Sequence, residues 1–364
     1  MRRVALATGL TALLALTGCA DDSDSLRPAS PSAATDATPA ANSTGDRVQV
    51  VTSIDVYADI ARTIGGDAVE VRSLLASDSG ADPHSYEATA RDQLAVRDAD
   101  LVIANGGHYD EFLTRALSAA GGDRAVITVV PSEADEHADE TPEEHAEHTD
   151  ESDDHEGETP EEHAEHAGEG AEHEGAEHED EGHDEGHDHG RDGNEHVWYD
   201  LQLMGTLAGR IAEELAQLHP ADRDGFTARA TEFENGIAEL RQRQESMFSV
   251  HDGTPVAVTE PLPLFLLTDC GLVDRTPPAF SQAIEEGTDV PVRVLQDTLN
   301  LFSDGAVELL VYNEQTTGPQ TERIRSAAED ADIPVVAMSE TLPTGQDFLS
   351  WMRTNLDALE GALA

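Results

Sequence analysis

A long acidic and histidine-rich tract, from about residue 133 to residue 195, sets the main constraint on how this chain folds. It contains 29 acidic residues and one Arg, and the octapeptide TPEEHAEH occurs in it twice, at 141–148 and 159–166. Because the tract has almost no apolar residues to offset the entropy lost on ordering, we expect it to be disordered. The folded part of the protein must therefore come from the sequence on either side of it.

The histidines of this tract predict metal binding. Neutral imidazole suits zinc, copper and nickel far better than it suits manganese. We therefore expect weak metal sites along the tract; the alternative is a solvated acidic linker in which the histidines are incidental. The eleven residues concerned are His137, His145, His148, His155, His163, His166, His173, His178, His183, His187 and His189.

The amino-terminal segment predicts export and attachment to a membrane. Two Arg residues precede an apolar run at 4–16, which is too short to span a bilayer and typical of a signal peptide. The run ends in Leu-Thr-Gly-Cys, which resembles a bacterial lipobox, whereas an ordinary secretory signal is the alternative. We predict a signal peptide at 1–18, lipid on Cys19, and a flexible tether at 19–46. The protein would then be anchored to the outer face of the bacterial cytoplasmic membrane.

Charge and cysteine content exclude other classes of protein. The formal net charge is −54 at pH 7, and about half of it lies in the tract. Such a surface repels nucleic acid and attracts cations. If Cys19 carries lipid, Cys270 has no partner for a disulfide, and we predict that it is a small buried residue on a helix.

The remaining sequence predicts an α/β fold with two lobes. Short β-branched runs such as VQVVTSI and LVIAN alternate with helical patterns, both before the tract and again from residue 254. This alternation predicts parallel sheets flanked by helices. Apolar residues at helical spacing over 221–248 predict one long rigid helix between the lobes. The predicted boundaries are 47–219 for the first lobe, interrupted at 133–194, then 220–249 for the linking helix and 250–364 for the second lobe.

Four residues are candidates for a metal site because ligands of such folds bind outside the carboxyl ends of strands. His84, His196, Glu260 and Glu340 follow strand-like runs or the tract. Two imidazoles and two carboxylates are a plausible set of ligands for a divalent first-row metal. Taken together they are more convincing than singly, because all four lie at equivalent positions in two halves that could face each other.

Each candidate also has an ordinary explanation. His84 follows Asp-Pro and would suit a turn, and His196 could simply end the tract. Glu260 and Glu340 could each compensate the dipole of a following helix. His108 is interpreted as a surface loop residue, although a role as a spare ligand, together with Asp110 or Glu111, stays open.

The chain resembles the zinc- and manganese-binding solute-binding lipoproteins of bacterial ABC metal importers. The resemblance rests on the segments DPHSYEATARDQLAVRDADLVIANGGHYDEFL, EHVWYDLQLM, VTEPLPLFLLTDCGL and AMSETLP. It implies two α/β lobes joined by a long helix, with the metal between them on His84, His196, Glu260 and Glu340. It also implies a monomer whose partners are a membrane permease and its ATPase subunit. Zinc-binding members usually have a third His where this chain has Glu260, and manganese-binding members often have Glu there with Asp at the last position.

The predicted function is therefore extracytoplasmic binding of a divalent metal, with zinc favoured by the tract, and delivery to an ABC permease. The alternatives are a manganese-binding importer component and a His-rich storage or buffering lipoprotein. A secreted metalloenzyme is the least favoured interpretation, because four protein ligands leave no open position on the metal. Imidazole binds metal only when neutral, so we expect acid to empty the tract before the folded site, whose carboxylates are expected to stay ionised.

Overall fold

The computed structural model describes residues 47–75, 86–130 and 193–364. The described residues all belong to one compact unit. The predicted signal peptide, the tether, the segment that carries His84 and nearly all of the histidine-rich tract lie outside the described residues. None of the helices in the described ranges combines the length and the apolar character needed to cross a membrane.

The first lobe is built around a parallel sheet with the strand order β2-β1-β3-β4. Its strands are rich in Val, Ile and Leu because helices cover both faces of the sheet. Its elements are β1 (Val48–Ile54), α1 (Asp55–Gly65), β2 (Val69–Leu75), α2 (Ala90–Asp98), β3 (Leu101–Gly106), α3 (Glu111–Ala120), β4 (Ala125–Val130) and α4 (Leu201–Leu218).

A helix of 29 residues, α5 (Arg223–His251), joins the two lobes after a short 3₁₀ turn at Pro220–Asp222. One face of α5 is apolar at helical spacing, and the buried residues Phe233, Ile237 and Leu240 lie on it. This face packs along α4. The predicted long helix is therefore confirmed.

The second lobe repeats the architecture of the first, with the strand order β6-β5-β7-β8 in a parallel sheet. The two-lobed α/β fold predicted from the sequence is confirmed, whereas the residue boundaries of the domains remain predictions. The sequence did not predict β6, which has only three residues, or α7. The elements are β5 (Thr254–Val258), α6 (Leu264–Asp269), β6 (Leu272–Asp274), α7 (Pro278–Glu285), α8 (Val292–Ser303), β7 (Leu309–Asn313), α9 (Pro319–Asp330), β8 (Val335–Met338) and α10 (Phe348–Ala362).

The last helix, α10, ties the second lobe back to the first. Its buried residues Phe348 and Trp351 belong to one apolar core that runs through both sheets, α4 and α5. The Trp351 ring lies 5.4 Å from that of Tyr199, and the Phe348 ring lies 5.8 Å from that of Phe233. The backbone N–H of Phe348 also donates to the Asp59 carboxylate at 2.8 Å. The two lobes thus share a continuous core.

Candidate metal centre

Three of the four predicted metal ligands lie within the described residues, and all three are buried. His196 is 2% exposed, Glu260 is 5% exposed and Glu340 is 8% exposed. Glu260 follows the end of β5 and Glu340 follows the end of β8, as the topology of parallel sheets predicts. Ionisable side chains buried to this degree are unusual unless they are paired or bind a cation.

His196 and Glu340 come together directly. His196 Nε2 lies 3.6 Å from Glu340 Oε1, and the Tyr109 hydroxyl donates a hydrogen bond of 3.0 Å to the same oxygen. The Gln315 side-chain oxygen accepts hydrogen bonds from the backbone N–H groups of Glu340 and Thr341. Both the carboxylate and the backbone of Glu340 are therefore held in place.

The other nitrogen of the His196 ring faces hydrogen-bond acceptors. Asn194 Oδ1 accepts from the His196 backbone N–H at 3.1 Å and lies 3.0 Å from Nδ1. The Glu285 carboxylate lies 3.7 Å from Nδ1. Acceptors therefore face both ring nitrogens, and a hydrogen on Nδ1 would leave the lone pair of Nε2 on the Glu340 side for a metal ion.

The chain returning from the tract is anchored next to the end of β3. Asn105 Nδ2 donates to the Glu195 backbone carbonyl at 3.1 Å, and the Glu195 carboxylate accepts from the His108 backbone N–H. Gly107 has a φ of +60°, and a Cβ there would lie 2.8 Å from Glu195 Oε1. The glycine therefore permits the close approach that positions the residue before His196.

Glu260 has one carboxylate oxygen bound and one unsatisfied. Asn313 Nδ2 donates to Oε2, whereas Oε1 is buried without a hydrogen-bond partner. A buried carboxylate oxygen without a donor is costly, and a bound cation would remove that cost. Burial, helped by the Glu340 charge, raises the pKa of Glu260 to about 7, against the hydrogen bonds of Asn313 and Thr316 and the charge of His196.

The described residues do not form a complete metal site. No three His, Cys, Asp or Glu side chains within the described ranges are grouped so that they could hold a metal ion by themselves. His196 meets Glu340, and the charges of both act on Glu260. Because His84 lies outside the described residues, the four-ligand set remains a prediction.

The remaining candidates from the sequence have other places in the fold. The His108 side chain is 90% exposed and lies 3.5 Å from Glu111. Asp110 is buried and accepts hydrogen bonds from the backbone of Asn105, at 2.6 Å, and of Gly106, at 3.1 Å. Asp110 therefore holds the turn after β3.

Cys270 is fully buried directly after α6, which confirms the prediction of a buried position. Burial raises the pKa of its thiol to about 12, so it is no nucleophile. Cys19 and the eleven tract histidines lie outside the described residues.

Glu285 is a charged residue at this centre that the sequence did not predict. It ends α7, and its acidic neighbour and the following Gly287 are typical of an ordinary exposed helix end. Burial would lower the pKa of His196, but the carboxylates of Glu340, Glu285 and Glu260 raise it above its ordinary value. Only the contact in the folded structure shows that the Glu285 carboxylate contributes to the raised pKa of His196.

The raised pKa of Glu260 corrects one expectation about acid. Both carboxylates of the folded site were expected to stay ionised as the pH falls through about 7 to 6. In the metal-free protein this is wrong for Glu260, because its pKa lies at about 7. Protons should therefore compete with metal at the predicted folded site over the pH range expected for the tract, and the predicted order of metal release, with the tract before the folded site, becomes less distinct.

The same shift predicts that the metal-free protein is more stable in mild acid. The folded-state pKa of about 7 lies above the ordinary value of 4.5. At pH values between these two, the Glu260 carboxyl keeps a proton in the folded protein that the unfolded chain releases. This contribution to stability is complete below the lower value and is lost as the pH rises through the higher one. It amounts to about 3 kcal/mol, since each pKa unit corresponds to about 1.4 kcal/mol.

The variant Glu260→Gln keeps the shape of the side chain and cannot ionise. Its free energy of unfolding, relative to that of wild type, should therefore increase by about this amount as the pH rises from about 5 to about 8. Urea unfolding of both metal-free proteins measures the difference. A difference between the two proteins that stays constant over this range would contradict the shifted pKa.

The chain is also similar to known proteins. The chain matches the family described as zinc-uptake complex component A, periplasmic (ZnuA), over residues 50–362. The manganese-binding lipoprotein MntA of Bacillus subtilis is 32% identical over 134 residues, which are 36% of this chain and 38% of that protein. The metal ABC transporter substrate-binding lipoprotein FimA of Streptococcus parasanguinis is 22% identical over 329 residues, which are 87% of this chain and 90% of that protein.

Solved structures share the fold at low sequence identity. A crystal structure of ZnuA is 17% identical with a TM-score of 0.57, and covers 88% of this chain and 99% of its own. The periplasmic zinc-binding protein TroA from Treponema pallidum is 19% identical with a TM-score of 0.57, and covers 87% of this chain and 99% of its own. The family description is that of a transport component, in agreement with the prediction that the chain is not an enzyme. Because the family match spans nearly the whole folded part, the chain belongs to the family of the periplasmic component A of zinc-uptake complexes.

Proposed function

We propose that this protein binds one zinc ion between its lobes, through His84, His196, Glu260 and Glu340, and delivers it to an ABC permease with its ATPase subunit. The observation that carries the proposal is the buried contact of 3.6 Å between His196 Nε2 and Glu340 Oε1. The unsatisfied Oε1 of Glu260 supports it. Two carboxylates repel each other in a buried site, and a cation turns that repulsion into attraction.

The metal is cargo in this proposal, and the chemistry of the ligands suits carriage. Four protein ligands close the coordination sphere of zinc, so no position is left for a reactive water. A proton on His196 Nδ1, facing Asn194 Oδ1, would keep Nε2 available as a ligand. Protonation of His196 or Glu260 would weaken the site, so uptake should be strongest near and above neutral pH.

The segments outside the described residues complete the proposal. Residues 1–18 would direct export, Cys19 would carry lipid, and residues 19–46 would tether a monomer to the outer face of the cytoplasmic membrane. The names of MntA and FimA as lipoproteins support this placement. The eleven histidines of the tract would collect zinc weakly near the cleft.

Manganese is the second candidate cargo, and Glu260 favours it because manganese accepts oxygen ligands readily. Relatives of this chain are named for either metal: MntA is a manganese-binding lipoprotein, and TroA is a zinc-binding protein. Affinity alone does not decide between the metals, since nearly every such site binds zinc more tightly than manganese. The test must therefore report on uptake as well as on binding.

The experiment compares bacterial cells that have or lack this protein, under limitation of zinc or of manganese. We expect loss of the protein to slow growth and lower cellular zinc only when zinc is scarce, with rescue by the wild-type gene. An anomalous-scattering map of protein purified without added metal should show zinc beside His196 and Glu340. A defect confined to manganese limitation would identify manganese as the cargo. Normal uptake of both metals would favour the storage lipoprotein instead.

A further inference from the structure

Asn313, the last residue of β7, is held rigidly beside Glu260. It is 3% exposed, and its backbone N–H donates to the Thr259 hydroxyl at 2.9 Å. The backbone N–H of Gln315 donates to Asn313 Oδ1 at 3.0 Å. This contact identifies the oxygen of the amide, because a backbone N–H requires an acceptor. The amide nitrogen of Asn313 must therefore face Glu260.

Both hydrogens of this amide nitrogen are used. One is donated to Glu260 Oε2, and the other to the Thr316 hydroxyl at 3.0 Å. The amide cannot rotate away from Glu260 without losing two or more hydrogen bonds in a buried setting. Glu260 Oε2 is thus held by the protein, while the buried Oε1 has no hydrogen-bond partner.

This arrangement limits how Glu260 can bind a metal ion. A carboxylate that binds through both oxygens must bring each of them to the metal, and Oε2 would then have to leave its amide donor or share it. A carboxylate that binds through one oxygen can use Oε1 and keep the hydrogen bond on Oε2. Zinc in protein sites prefers four ligands in a tetrahedron, whereas manganese is typically bound by six, mostly oxygen.

We propose that Asn313 is a specificity-determining residue that holds Glu260 to binding through Oε1 alone, and thereby favours four-coordinate zinc over manganese. The inference rests on the proposed function and deepens it by naming how the site selects its cargo. Tyr109 gives Glu340 a hydrogen bond of the same kind, at 3.0 Å. Each carboxylate of the proposed site is thus engaged by a neutral protein donor.

The experiment measures zinc and manganese affinities of the full chain by competition with a chelator, at less than one equivalent of metal so that the tight site fills first. Asn313→Leu keeps the approximate volume of the side chain and removes the donor. We expect the ratio of zinc affinity to manganese affinity to fall by about 10- to 100-fold, the range found when an outer hydrogen-bond partner of a metal ligand is removed. Cobalt bound to the variant should lose the intense visible absorption typical of four-coordinate sites.

A matched control uses a ligand that can bind through only one atom. In the variant Glu260→His, the side chain at this position binds metal through a single nitrogen, so adding Asn313→Leu should leave the affinity ratio unchanged. Thr316→Val provides a second route in case Asn313→Leu does not fold, because the Thr316 hydroxyl accepts one hydrogen of the Asn313 amide and its hydrogen bond also lowers the pKa of Glu260. It should shift the ratio in the same direction by a smaller factor.

Two results would overturn the inference while leaving the proposed function intact: an unchanged ratio in both Asn313→Leu and Thr316→Val, or an equal shift in the Glu260→His background. If the wild-type chain binds neither metal tightly, the proposed function fails and the inference falls with it. Thermal unfolding of each metal-free variant shows whether a change in affinity reflects loss of the fold.

Discussion

Replacing His196 by Ala should remove tight metal binding. The His196 ring is buried, its Nε2 faces Glu340, and its Nδ1 faces Asn194 and Glu285. Loss of the ring removes a direct ligand of the proposed site, so the affinity should fall by more than the 10- to 100-fold typical of outer partners. Competition of zinc between the protein and a chelator measures this, at metal concentrations below one equivalent.

His108→Ala is the matched control, because it removes an imidazole that is 90% exposed and pairs only loosely with Glu111. This variant should bind zinc as wild type does, which would also exclude His108 as a required ligand. The assignment of the site is wrong if the double variant His84→Ala, His196→Ala still binds one equivalent of zinc tightly.

Deleting residues 133–192 should remove the weaker metal equivalents and leave one tight equivalent. The deletion ends before Glu195, whose contacts with Asn105 and His108 hold the chain next to the end of β3. His196 should therefore keep its position. Calorimetric titration with zinc at about pH 7.5, where imidazole is largely neutral, gives both stoichiometries.

A second variant separates the histidines of the tract from its charge. Changing its eleven histidines to Gln keeps the length and the carboxylates, and it should lose the weaker equivalents as completely as the deletion does. If this variant kept the weaker metal equivalents, the carboxylates of the tract would be the metal ligands. An unchanged total stoichiometry in the deletion would show that the tract collects no metal.

The sequence predicted the two sheets and the long helix because these elements carry strong periodic patterns. The strands are runs of buried β-branched residues, and α5 repeats its apolar positions over 29 residues. The pattern failed for β6, where three residues are too few to show a period. It also failed for α7, where a helix begins at a Pro-Pro pair and spans only 8 residues, too few to show a clear helical period.

At the centre itself, the sequence named candidate residues but did not show what surrounds them. His196, Glu260 and Glu340 could be named from their places after strands or after the tract. The approach of Glu285 to His196, and the amide of Asn313 on Glu260, depend on contacts between segments distant along the chain. The raised pKa of Glu260 has the same origin, because burial by the surrounding residues causes it and no local motif records it.

The shared core of α5 and α10 also has a kinetic consequence. A wide rotation of the lobes would expose Phe348 and Trp351, which are almost completely buried, at a cost on the order of 1.5–3 kcal/mol each. Forms opened in that way are therefore populated to less than about one molecule in a hundred, since 1.4 kcal/mol corresponds to a factor of about ten. An ion held at the proposed site would therefore leave through smaller local movements, such as those of the loops around residues 260 and 340, and these movements would govern its residence time until a partner intervenes.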